Sequence, residues 1–363
     1  MSTRTSQNLL LVWDRVGDYH AARFLELERL HTSGKTFLAD LAGSDSLYKW
    51  DNPVAGHPNY HPLSLLPIDQ PDAKNRVEAF QRLVEKEQIT CVGLAGYGRK
   101  EYNQMLIWCR TKGIRVVLFA ESWYGNNFLF NKLKGLYLSR VCQGLLVSGE
   151  RARTHFRQKL GMKIPLEIGY SVVDNAHFEK GRAQNEARHV LLSVARFAPE
   201  KNLAALISAF VQSDLAQTWT LKLVGGGPLK ESLHQKAAGH PSVVFADWLS
   251  YSELPDLYAS ASFFILPSSF EPWGLVVNEA MAAGLPIALS EECGCRPDLL
   301  GPDNGFSFPA ADEKELISVL NRISSLHSTE LEKMGRASQT RIQAFSTKTW
   351  THSFLRLAGI STA

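Results

Sequence analysis

No apolar run in this sequence approaches the roughly 18–20 residues that span a bilayer, and the first thirteen residues, MSTRTSQNLLLVW, carry one arginine and only a short apolar run before Asp14 and Arg15. The chain is therefore expected to be cytoplasmic, without a standard secretory signal. Cysteines are few and odd in number: Cys91, Cys109, Cys142, Cys293 and Cys295. Only the last two are close, at a spacing that is not a usual zinc pattern, so they read as reduced thiols and no metal site is expected. Dense lysine and arginine runs are missing, which counts against nucleic acid as a partner. Neither a fixed-period repeat nor a low-complexity tract occurs, which excludes solenoids and long disorder.

Two nucleotide-binding fingerprints are also lacking. The glycine-rich stretch Val224-Gly225-Gly226-Gly227-Pro228 has neither the Gly-Lys-Ser/Thr of a phosphate loop nor the spacing of a G-x-G-x-x-G dinucleotide motif. That weakens both a nucleoside triphosphatase and a nicotinamide-dependent dehydrogenase.

What remains is an ordinary globular composition, 45% hydrophobic and 21% charged, spread over 363 residues. That length exceeds one core and predicts two domains with a cleft between them. The net charge of +3 hides an asymmetry: residues 1–180 hold 24 lysines and arginines against 18 acids, and the rest 15 against 18. An anionic membrane surface or a phosphorylated acceptor would suit the basic half.

Apolar runs alternate with amphipathic stretches throughout. In the first half, strands are predicted at Leu9–Trp13, Ile89–Ala95, Ile114–Ala120 and Gly144–Val147, and helices at His20–Leu30, Glu101–Lys112, Asn131–Val141 and Glu150–Leu160. Residues 44 to 72 read as an irregular surface excursion. Asp174–Glu186 is polar and reads as the linker. The second half repeats the alternation from Val190–Val194 through strands at Leu221–Val224, Val243–Phe245, Phe263–Leu266, Pro286–Leu289 and Gly305–Phe308. The expected fold is α/β, with two Rossmann-like doubly wound domains facing a central cleft. Their bounds are residues 1–178 and 187–340, with 341–363 forming a helix that packs across the junction.

The most informative segment is Pro267-Ser-Ser-Phe-Glu-Pro-Trp-Gly-Leu-Val-Val-Asn-Glu-Ala-Met-Ala-Ala-Gly-Leu-Pro286. A strand ends, a turn carries Glu271, Gly274 opens a helix, and Glu279 lies within it. The free N–H groups of Leu275 and Val276 and the positive helix end make a site for phosphate or diphosphate. A carboxylate beside an anion is costly unless it serves hydroxyls, so Glu271 and Glu279 are expected to accept from a polyol. Taken alone, two glutamates are more simply solvated surface acids. A hydrolytic carboxylate pair fits poorly, because it has no use for a helix start aimed between its members. The neighbouring segments decide. Arg196 and Lys201, in Ser193-Val-Ala-Arg-Phe-Ala-Pro-Glu-Lys-Asn202, follow the first strand of this half, where two cations can neutralise a leaving diphosphate. Gly226 lies in a turn after the second strand that lets backbone approach a ligand.

In this order and spacing the three segments resemble the donor domain of glycosyltransferase family 4, whose signature E-x-F/W-G-x-x-x-x-E appears here as Glu271-Pro-Trp-Gly-Leu-Val-Val-Asn-Glu279. The likeness is strong over residues 188–310 and weaker elsewhere. It implies the GT-B architecture and retaining transfer of a sugar from a nucleotide sugar, with no bound metal and no covalent glutamyl intermediate. It further implies Arg196 and Lys201 on the donor diphosphate, Glu271 on the sugar hydroxyls, and Glu279 on the ribose. Backbone N–H groups from Trp273, Gly274, Leu275 and Val276 would hold sugar and phosphate. The opening loop Asp14-Arg-Val-Gly-Asp-Tyr-His20 looks like the family's N-terminal loop, with Gly17 approaching the donor phosphates. The histidine that many members carry after a central strand of the first domain is missing; Phe119-Ala-Glu-Ser-Trp123 stands there, with Glu121 at the corresponding place.

Candidates for an acceptor or sugar site are thus His20, Tyr97, Arg99 and Glu121, each of which is equally an ordinary loop or first-turn residue. The stretch 127–140 mixes aromatic, aliphatic and basic residues; it reads as a helix with one core face and one solvated face, against a rival reading as a surface for anionic lipid. The overall expectation is a retaining, metal-independent glycosyltransferase, a hexosyltransferase by preference, needing no cofactor. Its co-substrate is a UDP- or GDP-linked sugar and its acceptor a hydroxyl, lipid-linked in one version, in glycan or glycoconjugate assembly. It is cytoplasmic or peripheral on the cytoplasmic membrane face. The alternatives are a non-catalytic nucleotide-sugar-binding scaffold, given the missing histidine, and a nucleotide-sugar epimerase.

Overall fold

In the computed structural model, which describes residues 6–42, 52–125, 127–180 and 189–361, the chain forms two units, Met1–Val172 with Ser346–Ala363, and Val173–Phe345. Parts of the sequence-read surface excursion (residues 44–51) and linker (181–186) lie outside the described residues.

The first unit runs β1 (Asn8–Trp13), α1 (Asp18–Leu30), β2 (Thr36–Asp40), β3 (Tyr60–Pro62), α2 (Ala73–Lys86), β4 (Ile89–Ala95), α3 (Lys100–Thr111), β5 (Arg115–Ala120), α4 (Phe128–Val141), β6 (Gly144–Val147), α5 (Glu150–Thr154) and β7 (Leu166–Ile168). The seven strands form one sheet in the order β3-β2-β1-β4-β5-β6-β7, and every pairing is parallel. Leu9 to Val12 are fully buried, as a parallel strand covered on both faces requires, and this is why the strand appears in sequence as an unbroken apolar run.

The second unit runs α6 (Asn175–Glu179), β8 (Val190–Val194), α7 (Leu203–Gln212), β9 (Thr220–Val224), α8 (Lys230–Ala237), β10 (Val243–Ala246), α9 (Leu254–Ala259), β11 (Phe263–Leu266), α10 (Leu275–Ala282), β12 (Ile287–Ser290), α11 (Arg296–Leu299), β13 (Gly305–Phe308), α12 (Glu313–Ser324) and α13 (Ser328–Ile342). Its six parallel strands are ordered β10-β9-β8-β11-β12-β13. Both units are therefore Rossmann-like. Each strand order reverses once, between β1 and β4 in the first and between β8 and β11 in the second, and ligands of such sheets bind at the carboxyl ends of the strands there.

The last helix, α14 (Thr347–Ala358), which the sequence reading sets across the junction, belongs to the first unit. Trp350 is fully buried, with its ring 6.5 Å from Trp13 and 5.8 Å from Phe119, and the Arg115 Nε–H donates to the Leu357 carbonyl at 2.7 Å. The second unit starts at Val173, ahead of the expected limit at 178, because α6 packs against α9 and α10 and the Asn175 amide donates to the Ile342 carbonyl at 3.1 Å. The expected helix Glu150–Leu160 is α5 followed by a π-helical turn, His155–Lys159. Several elements have no counterpart in the sequence reading, among them β2, α2 and α13. The first is only five residues long, and α13 crosses its neighbour through Gly335, where a Cβ would stand 2.1 Å from the Gly284 carbonyl oxygen. A crossing built on a missing side chain leaves no apolar stripe to read.

Candidate active site

The strand-order reversal of the second unit brings together the loops after β8 and β11. Arg196, half exposed, pairs with Glu200 at 2.6 Å. The Ser269 N–H donates to the Glu200 carbonyl at 2.9 Å and ties the two loops. Lys201 reaches across and ion-pairs with Glu271, each largely buried. A buried carboxylate is tolerated only when paired, so the solvated-acid reading fails for Glu271, which is 7% exposed, and for Glu279, which is 1% exposed. Glu200 was not among the sequence-derived candidates. Its signal was its place between Arg196 and Lys201, where an acid must pair with one of the cations.

Glu271 leads into α10 through Gly274, whose φ of +100° is the left-handed region. A Cβ there would also stand 3.0 Å from Leu266 Cδ2, so glycine is required both for the turn and for the space. The helix then starts with the N–H groups of Leu275 and Val276 lacking intrahelical acceptors, as at every helix start. The Trp273 side chain is buried and its indole N–H donates to Asn278 Oδ1 at 2.9 Å; only its backbone remains available to a ligand. Glu279 accepts from the Tyr258 hydroxyl at 2.6 Å.

The loop after β12 fixes this turn from behind. The Gly294 N–H donates to the Glu271 carbonyl at 2.9 Å and the Cys295 N–H to the Trp273 carbonyl at 3.2 Å. Ser290 donates to the Ser268 carbonyl at 2.5 Å, and the Cys293 thiol lies 3.6 Å from the Leu266 carbonyl. Burial pushes that thiol up to about 12, so it stays protonated and keeps its weak donor. All five cysteines are buried and unpaired. The Cys-x-Cys pair is thus a structural support for the Glu271 turn.

After β9, Gly225 and Gly227 have φ of +141° and +150°, and a Cβ at Gly225 would stand 2.0 Å from the Ala195 carbonyl oxygen. The turn therefore lies against the Arg196 loop, with the Phe197 N–H donating to the Gly226 carbonyl at 2.8 Å. A Cβ on Gly226 would stand 3.1 Å from Trp248 Nε1, and that indole is 56% exposed. Beside it Lys230 pairs with Asp247 at 2.5 Å.

In the first unit the reversal brings together the loops after β1 and β4. Arg99 Nε donates to Asp14 at 2.8 Å. Gly17 caps α1 in extended backbone that any residue adopts, and its N–H donates to His20 Nδ1 at 3.3 Å. Burial, helped by Arg23, holds the His20 imidazole well below its ordinary pKa. The ring is therefore neutral, with the proton assigned to Nε2 by the bond at Nδ1. Asp40, at the end of β2, accepts from the Val16 N–H at 3.3 Å and from the Tyr60 hydroxyl at 3.0 and 3.1 Å. Burial pushes its carboxyl up to about 6, against the opposing pull of those bonds. Glu121 is not a free loop acid, because it accepts from Ser171 at 2.5 Å. Tyr97 carries Lys134 4.9 Å above its ring.

The described structure as a whole superposes on sucrose-phosphate synthase from Thermosynechococcus elongatus with a TM-score of 0.76 at 18% identity, covering 97% of this chain and 98% of that one. It superposes on HepE of Anabaena, solved in complex with UDP, with a TM-score of 0.72 at 17% identity, covering 97% and 99%. The fold is that of the GT-B glycosyltransferases. In sequence, 161 residues are 33% identical to the sulfoquinovosyl transferase of Arabidopsis thaliana, covering 43% of this chain and 30% of that protein. The aligned part spans about a third of the length of the first curated relatives it matches. The likeness in sequence is carried by the second unit: residues 174–341, which hold Arg196, Lys201, Glu271 and Glu279, match the family of the glycosyl transferases group 1.

Proposed function

We propose that the protein is a glycosyltransferase, in the manner of family 4, that moves a sugar from a UDP- or GDP-linked donor to a hydroxyl acceptor with retention of anomeric configuration and without a metal, in glycan or glycoconjugate assembly. The observation that carries this reading is the Lys201–Glu271 ion pair lying beside Arg196 and ahead of the α10 start, at the carboxyl edge of the second sheet. Cations and helix N–H groups suit a diphosphate; a carboxylate already balanced by lysine remains an acceptor for sugar hydroxyls. The complex of the Anabaena relative in fold with UDP supports a uridine donor.

In this reading Arg196, Lys201 and the N–H groups of Leu275 and Val276 take up the negative charge that grows on the diphosphate as the bond from C1 of the sugar to oxygen breaks. The acceptor oxygen forms the new bond to C1 on the same face and passes its proton to the departing diphosphate. No side chain has to become a covalent nucleophile, so the protein acts by positioning and electrostatic stabilisation. Glu279, held by Tyr258, faces the ribose, and Trp248, exposed beside Gly226, borders the base. The first unit receives the acceptor near Tyr97, Arg99, Glu121 and the neutral His20.

A panel of UDP-, GDP-, ADP- and dTDP-sugars tests the reading, first by thermal shift and then by sugar release. A nucleotide that binds the folded state raises the melting temperature by mass action. Stabilisation by one nucleotide, with sugar release that is lost in Arg196→Ala and Glu271→Ala, is expected. No shift with any nucleotide overturns the donor site; binding without turnover for any acceptor favours the scaffold.

A further inference from the structure

Helix α4 is turned inside out relative to an ordinary surface helix. Its inner face buries Asn131, Gly135, Leu138 and Val141, and a Cβ on Gly135 would stand 2.0 Å from the Leu160 carbonyl oxygen, so the backbones approach closely at that point. The outer face should then be polar. Instead Phe128, Leu129, Phe130, Leu133 and Leu136 are 72, 68, 61, 59 and 52% exposed. Leu129, Leu133 and Leu136 fall at i, i+4 and i+7 and form one stripe. Beside it Lys132 lies 5.5 Å from the Phe128 ring, while Lys134, 5.7 Å from Phe130, turns inward and donates to the Tyr97 hydroxyl at 3.3 Å. Arg140 follows four residues beyond Leu136, and the helix holds no acidic residue. The structure thus has the core face and the exposed outer face expected from sequence, but the exposed face is apolar.

An apolar stripe bordered by Lys132 and Arg140, cations on long flexible stems, matches a bilayer surface: the leucines and phenylalanines enter the acyl boundary while the cationic groups stay at the phosphates. We propose that α4 docks the protein on a membrane leaflet containing anionic phospholipid, lying in the plane of the interface. No helix among the described residues is long and apolar enough to cross a membrane, so the contact is peripheral. Charge selects the occupant. Against a second copy of itself α4 would set lysines facing lysines with no acid to pair them, whereas an anionic leaflet complements them. The helix leads directly from the loop after β5 that carries Glu121. Resting on the function proposed above, this puts the membrane beside the acceptor-receiving residues and makes a lipid-linked acceptor the preferred class.

The test is flotation of the full chain with vesicles of phosphatidylcholine alone and of phosphatidylcholine with phosphatidylglycerol. The protein is expected to float with the anionic vesicles, to be released by high salt as the charges are screened, and to lose at least about tenfold in partitioning in Leu129→Glu/Leu133→Glu. Because both leucines are exposed, that variant keeps its melting temperature and its nucleotide-induced shift, which separates failure of docking from failure of the donor site. Failure to float with anionic vesicles, equal flotation with neutral ones, or flotation unchanged by the double substitution overturns the proposal. So does a dimer in light scattering that the same substitution dissociates while vesicle binding is absent.

Discussion

Each of the two units buries acids near the carboxyl edge of a parallel sheet, and they balance them differently. The second unit sets Glu271 against a cation, Lys201, and Glu279 against a tyrosine hydroxyl. The first sets Asp40 against a tyrosine hydroxyl and a backbone N–H, with Arg15 adding a weaker pull, and burial there wins, pushing the carboxyl up to about 6. A carboxylate in direct contact with a cation has its charge balanced and can accept hydroxyls; one held mainly by hydrogen bonds in a dry setting is poised to take up a proton. The second arrangement suits a ligand that brings its own negative charge, and the first suits holding a loop. On the proposed function, the comparison separates a site that meets an anionic donor from one that holds a loop.

Breaking the pair in the second unit has the largest expected effect. Glu271→Ala or Lys201→Ala leaves a buried charge without its partner and should destabilise by about 2–4 kcal/mol, read by denaturant unfolding, while abolishing sugar release. The double variant Lys201→Met/Glu271→Met separates the two consequences: stability should largely return, because replacing both charges removes the penalty, and activity should not. Recovery of both would show the pair to be purely structural.

The first unit is tested through pH. Asp40 has its folded pKa raised above the ordinary carboxylate value, so the native state holds the proton more tightly than the unfolded chain. Its contribution is fully present below about pH 4 and is lost as pH rises through about 6. Asp40→Asn should remove that slope, a change of about 2–3 kcal/mol between the two ends of the window. An unchanged pH profile of stability in the variant would show that Asp40 is not the group responsible.

Glycine gives a third contrast. Gly274→Ala forces a side chain into φ of +100° with Leu266 in the way and should cost about 1–3 kcal/mol. Gly17→Ala meets only extended backbone at a helix cap and should cost about 1 kcal/mol or less. Melting curves of the two variants should therefore rank in that order.

How much of this was legible beforehand follows from where partners lie in the chain. Both Rossmann-like units could be read, because strands buried on both faces are unbroken apolar runs such as Leu9–Val12 and Phe263–Leu266. Arg196, Lys201 and Glu271 could be read because they lie in two short segments with recognisable spacing. Their balance was harder to read: Glu200 stands between two cations without showing which it pairs with, Tyr258 comes from a helix 21 residues before Glu279, and Asp40 ends a strand, β2, too short to announce itself. Helix α2 was missed although Val77, Phe80, Leu83 and Val84 are buried at helical spacing, because it follows the proline-rich stretch that reads as irregular. For α4 the helix itself was legible and its environment was not, since periodicity places residues on faces without saying whether the second face meets water or another surface.

A single hydroxyl bears most directly on the two tyrosine–carboxylate pairs. Tyr258→Phe removes the hydroxyl that donates to Glu279 at 2.6 Å without changing the ring that packs beside Phe178 and Phe264. A bond to a charged acceptor is worth about 1.5–3 kcal/mol when buried, and the variant should fall near the lower end of that range because Glu279 has further interactions to share the loss. If Glu279 serves the ribose, loosening it should weaken nucleotide binding, raising KM for the donor while kcat changes little, since the ribose is bound equally in ground and transition states. Tyr60→Phe in the first unit removes the same kind of donor from Asp40 and should leave donor KM untouched while shifting the pH window of stability upward. Equal effects of the two substitutions on donor KM would erase the distinction between the units, and an effect on neither quantity would reduce both pairs to packing.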